Sequence, residues 1–264
     1  MANINTFPIE VNMDEALAFG LIAGATSGLA AGYIGTSATT SVPIRATTYT
    51  PQGANAQRSV VSSSANDTSA GTGARTVLIT YLDTTLAAYL TETVTMNGTT
   101  NVNTVSTTIA YLEKMETATT GSTGGNAGTV SINTATGGGG SVWGSIAAQD
   151  NHTYWCHHYV LSGQTCYVTN ITASATVIPG HVTLQVTGDP GNANLPQQSV
   201  GSTYGYGAEW TTGLSTSINV ALGQLDHNFR FPLARPGPDL IFMNARPNQA
   251  TSSTTYGSFE YLQF

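Results

Sequence analysis

Charge is scarce in this chain of 264 residues: 8% are Asp, Glu, Lys or Arg, about a third of the usual share. Lysine is nearly missing, with Lys114 alone beside six arginines, and the balance is net −7. That excludes a phosphate-binding face, because affinity for nucleic acid comes from clustered Lys and Arg. It also excludes a coiled coil or helical bundle, which is built from Glu, Lys, Leu and Ala in bulk. Cysteine is almost as rare, with only Cys156 and Cys166, so no disulfide framework supports the fold. What fills the space is 43 threonines, 22 serines, 29 glycines and 12 tyrosines. Disordered chains are poor in apolar residues, whereas 40% of this one is hydrophobic. Thr, Val, Tyr and Ile suit a pleated surface and Gly, Asn and Ser suit turns. The composition predicts an all-β protein.

The order along the chain predicts an extended N-terminal arm over residues 1–57 and two β-sandwich, jelly-roll-like modules over 58–140 and 141–264. The arm is low in charge, with Pro43, Pro51 and little alternation. Its apolar run at 16–34 carries four glycines with Thr26 and Ser27, which argues for packing against protein as a helix or extended arm rather than for a membrane span. No basic residue precedes Arg45, so the run is not read as a secretory signal either. In the first module, Val77, Ile79 and Tyr81 alternate with Thr76, Leu78, Thr80 and Leu82, predicting a central strand at 75–83. A strand at 91–96 then ends on Asn97-Gly98, a hairpin signal, and further strands fall at 102–116 and 128–133. Four glycines at 137–140 read as a boundary. Beyond it, strands are predicted at 142–148, 153–160, 165–173, 181–187, 239–244 and 257–264. A four-residue turn at 161–164 should pair the second of these with the third, setting Cys156 opposite Thr169 and pointing the two sulfurs to opposite faces. The stretch 188–207 is a long polar loop.

Chemistry is thin. Asp150, His152, Cys156, His157, His158 and Cys166 offer zinc-type ligands, but neighbours on a strand face opposite ways, and residues two apart stand about 7 Å from each other. They are therefore read as structural side chains at a subunit contact. Residues 189–194 lack the spaced carboxylates and bidentate Glu of a calcium loop and read as a surface turn. No G-x-S-x-G elbow and no G-x-x-x-x-G-K element is present. The chain is expected to be no enzyme and to hold no metal or cofactor. Asn66-Asp67-Thr68 with Gly71 and Gly73 reads as a shaped loop feeding the strand at 75–83. Tyr204, Tyr206 and Trp210 put aromatic faces on the long polar loop, where a glycan or a subunit contact would suit them equally.

The segment VVSSSANDTSAGTGARTVLIT at 60–80, followed by TETVTMNGTT at 91–100, resembles a motif of tailed-bacteriophage virion proteins. The likeness extends through SIAAQDNHTYWCHHYVLSGQTCYVT at 145–169 to Phe231-Pro232-Leu233, Pro236-Gly237-Pro238-Asp239-Leu240 and Phe259, leaving residues 1–57 outside. The sequence departs from that pattern at Leu161-Ser162-Gly163 and at Gln164. The resemblance implies a β-sandwich structural component of a virion. Its expected partners are further copies of itself, with a trimer the expected form, and the major capsid protein or other virion proteins. No nucleic acid or membrane is expected. A shortage of charge agrees with large buried contacts, because interface cores shed Lys and Glu and favour Tyr. The role expected is a decoration or cement protein clamping shell subunits. The alternatives are a tail, baseplate or neck component, or a glycan-binding receptor module.

Overall fold

The computed structural model describes residues 24–36, 42–47, 49, 52–175, 180–187, 218–220, 224–247 and 253–264. Among them the protein is all-β, and its one helical element is a single 3-10 turn at Thr136–Gly138. The strands are β1 (Thr26–Thr36), β2 (Val42–Pro43), β3 (Ser59–Ser62), β4 (Ala74–Leu82), β5 (Leu90–Thr95), β6 (Val102–Asn103), β7 (Tyr111–Thr120) and β8 (Val130–Asn133). After these come β9 (Val142–Ile146), β10 (His157–Val160), β11 (Thr165–Ala175), β12 (Gly180–Thr187), β13 (Ile218–Val220), β14 (Gln224–Pro236), β15 (Asp239–Pro247) and β16 (Ser253–Gln263). They form four sheets, ordered β5-β4-β7, β6-β3-β8-β9, β10-β15-β12-β13 with β2 also on β15, and β1-β16-β11-β14.

Two apolar cores hold the sheets together. One gathers Val77, Ile79, Leu82, Ile109, Leu112, Met115, Ile132 and Trp143. The other gathers Ala30, Ile44, Val168, Ile171 and Phe259. Strand β15 serves both, because alternate side chains leave a strand on opposite faces. Leu240 and Phe242 enter the first core, while Ile241, Met243 and Ala245 enter the second. Strand β10 does likewise, with Tyr159 in the first and Val160 in the second, and all four of its residues are buried. The sheet holding β10 and β15 is thus a shared wall. Truncating Phe242 to Ala in such a wall would cost about 3–5 kcal/mol.

The strand predicted at 75–83 is β4, central between β5 and β7. The aromatic end of the chain is β16, which pairs β1 on one side and β11 on the other. Within residues 1–57, the described part is built into the sheets. Strand β1 pairs β16 over eleven residues, β2 pairs β15, and Ile44 is fully buried. The apolar run at 16–34 therefore ends as strand, its residues 16–23 lying outside the described residues. No helix among the described residues is long and apolar enough to cross a membrane. The four glycines at 137–140, read as a boundary, lie in the connection between β8 and β9, which pair with each other.

Three local expectations are corrected. Asn97-Gly98 does turn, with Thr100 N–H donating to the Asn97 carbonyl at 3.1 Å, but it closes no hairpin. Of the two, only Gly98 takes positive φ, so the turn is not the I′ type that aligns flanking strands, and β6 pairs β3 instead. The single strand predicted at 102–116 is accordingly two strands in two sheets. The turn at 161–164 also forms, with Gln164 N–H donating to the Leu161 carbonyl at 3.2 Å. Its flanks do not pair: β10 joins β15 and β11 joins β14 and β16. The Ser162 N–H is taken by the Leu86 carbonyl at 2.7 Å and Thr165 N–H by the Phe264 carbonyl at 2.8 Å, so the turn passes the chain from one sheet to another. Cys156 and Cys166 are free, and both face one core, Cys156 from the segment before β10 and Cys166 from β11, rather than opposite faces of one hairpin.

Candidate functional site

A fully buried carboxylate stands at the centre of one loop: Asp67, at 0% exposure. One carboxylate oxygen accepts from Ala74 N–H at 2.6 Å and Ala127 N–H at 2.8 Å. The other accepts from the Ser62 hydroxyl at 2.5 Å and Gly128 N–H at 2.9 Å. Its own carbonyl accepts from Gly98 N–H at 2.7 Å. Four donors fill the acceptor capacity of a carboxylate, which is what lets a charge lie buried. Gly73 is required here, since a Cβ at that position would strike Asp67 Oδ1. The segments at 60–80 and 91–100 meet beside it through backbone bonds, Gly98 N–H to the Asp67 carbonyl and Ser69 N–H to the Met96 carbonyl. The carboxylate's work is structural, tying the start of β4 to the 62–68 loop and the approach to β8.

The six candidate metal ligands are dispersed. Asp150 accepts from the Tyr33 hydroxyl at 3.0 Å, and His152 packs on Tyr154 with centroids 3.9 Å apart. The Cys156 thiol points at the Ala30 carbonyl, 3.4 Å away, and burial pushes its pKa up. Burial likewise raises the Cys166 thiol to about 12. His157 sits among Tyr49, Trp155 and Tyr159, while His158 stacks on Tyr261 at 3.8 Å. Among the described residues no three of His, Cys, Asp and Glu gather to hold a metal ion. Tyr204, Tyr206 and Trp210, and the 189–194 turn, lie outside the described residues.

His158 instead anchors a buried network. Its Nδ1 lies 3.0 Å from Glu113 Oε1 and its Nε2 lies 2.7 Å from Gln263 Oε1. Gln263 in turn donates to Gln164 Oε1 at 2.6 Å. Glu113 Oε2 accepts from Tyr159 N–H at 3.1 Å, and the Tyr89 hydroxyl donates to the Tyr159 carbonyl. Beside this network runs a cleft of about 600 Å³, walled by β1, β7 and the approach to β10. Its mouth carries Lys114 and Glu116, paired at 3.0 Å with half-exposed side chains, a contact worth little in water. The network's bonds run between protein groups, so its chemistry is to fasten β7, β10 and β16 to one another. Glu113 had a signal in the sequence, as an acid within the otherwise strand-like YLEKMET at 111–117. Tyr89, Gln164 and Gln263 had none.

No family model matches the chain, nor does any curated protein or any solved structure.

Proposed function

We propose that this chain is a structural protein of a tailed-bacteriophage virion, a decoration or cement protein that holds neighbouring shell subunits together. The observation that carries the reading is β1. Its eleven residues, TSGLAAGYIGT, hold no charge; they pair along their length with β16, and among the described residues no strand lies on the other side. Sheet edges in soluble monomers are guarded by charge, proline or bulges because a bare edge recruits another strand. An unguarded edge with Leu29 61% exposed midway suits a chain whose partner is another subunit. The scarcity of lysine and the phage-like motif at 60–80 support the same reading.

The test is in two parts. Sedimentation of the purified full chain should give an oligomer, with a trimer the expected form. Cryo-electron microscopy of particles that carry it should place many copies over the shell. A few copies in a ring would move the assignment to the tail, baseplate or neck. A chain that stays monomeric at high concentration and is absent from purified particles would overturn the reading.

A further inference from the structure

A second cavity, of about 420 Å³, opens beside the β1 and β16 pair, within the size range of small-ligand sites. Its aromatic wall comes from three places in the sequence. Tyr33 and Tyr256 are direct partners across β1 and β16, with ring centroids 5.9 Å apart. Tyr154, from the segment before β10, lies 5.3 Å from Tyr33. The next pair along the same strands, two residues on, is Ala31 with Ser258, so the surface drops away beside the rings to small side chains. Asp150 closes the wall, accepting from the Tyr33 hydroxyl at 3.0 Å, which uses one of roughly four acceptor sites on a carboxylate. Tyr256 is 48% exposed, so its ring is open to a ligand entering the cavity.

From this geometry we infer that the Tyr33, Tyr154, Tyr256 and Asp150 cavity binds a saccharide, with a pyranose ring lying against the tyrosines and its hydroxyls meeting Asp150 and Ser258. A sugar presents an apolar C–H face and a polar rim, and the cavity presents an aromatic strip beside a carboxylate and hydroxyls. The ring spacing argues against a quaternary ammonium, the other ligand that aromatic sites take. A cage must seat the cation between its walls, each about 6 Å or less from it, whereas Tyr33 touches both neighbours and leaves no space between them. The three rings form one continuous strip for a ligand to lie across.

The inference goes beyond the assembly reading and stands apart from it, since the site does not depend on where in a particle the chain resides. The test is an array of bacterial O-antigen, capsular and teichoic-acid saccharides probed with the full-length chain, followed by calorimetry on any saccharide retained. The expected result is binding of at least one saccharide, weakened about tenfold or more by Tyr256→Ala and restored by Tyr256→Phe, which keeps the ring. Both variants should melt where the parent does, because the side chain is half exposed. Silence across the array overturns the inference. So does a saccharide bound equally well by Tyr256→Ala and the parent, or a tyrosine fluorescence change elicited by choline and by no sugar.

Discussion

Asp67 shows how a single side chain can shape a loop that no regular element defines. Its four hydrogen bonds reach Ser62, Ala74, Ala127 and Gly128, groups that would otherwise be orphaned in the interior, and each charge-assisted bond is worth about 1.5–3 kcal/mol. Asp67→Asn keeps the shape but turns an N–H₂ toward backbone N–H donors. It should lower stability by about 3 kcal/mol, a fall in melting temperature of roughly 5–10 °C for a chain of this size. Differential scanning calorimetry reads this directly, and a melting temperature within a degree of the parent would show that the carboxylate is not what holds the loop. The two cysteines give a residue-scale prediction on reactivity. Both thiols are buried and burial raises both pKa values, so little thiolate, the reactive form, is present at pH 8. An aromatic disulfide reagent should titrate neither thiol in the native protein and both in denaturant. Rapid native reaction of either would contradict the packing described.

At the scale of elements, β1 makes the case for assembly testable without the particle. Leu29→Lys places a charge on an exposed position of the edge strand, a device natural sheets use to stop strand addition. Sedimentation should show the oligomer dissociating while the melting curve of the subunit is unchanged. An oligomer that persists would move the interface elsewhere. This element also shows what the sequence conceals. Strands with strong alternation or two apolar faces, such as β4, were legible because burial writes its period locally. Pairing was not, because partners are chosen by contacts far along the chain. Asn97-Gly98 carries a hairpin signature, yet the Asp67 knot claims Gly98 N–H, and the strand beyond goes to β3. The 161–164 turn lost its hairpin in the same way, to contacts with Leu86 and Phe264. Tyr33, Tyr154 and Tyr256 are scattered over more than two hundred positions, so no spacing rule could have gathered them into one wall.

For the molecule as a whole, the shared wall of β10 and β15 makes stability depend on a titratable group lodged in it. His157 is 3% exposed, and its Nε2 lies 3.0 Å from the Glu113 carbonyl. A carbonyl only accepts, so Nε2 carries the proton, and Nδ1 has no hydrogen-bond partner among the described residues. Burial, with the Arg45 cation beside it, holds the ring's pKa well below its ordinary value. Arg45 is itself buried, donating to the Tyr49 carbonyl at 3.2 Å and lying over the Tyr49 and Phe242 rings. The direction of the pH effect follows. The unfolded chain takes up a proton at His157 near pH 6.5 and the folded chain does not, so below that pH the unfolded state binds more protons and stability falls as acid is added. Above it both states are neutral at this residue and its contribution is flat. Each further pH unit of acidification should cost up to about 1.4 kcal/mol until the folded ring also protonates. His157→Gln and His157→Phe should both flatten the drop in melting temperature between pH 7.5 and 5.5, whatever each does to stability at neutral pH. If the parent and both variants lose the same amount over that interval, the acid sensitivity belongs to another group and the wall tolerates a charged imidazole.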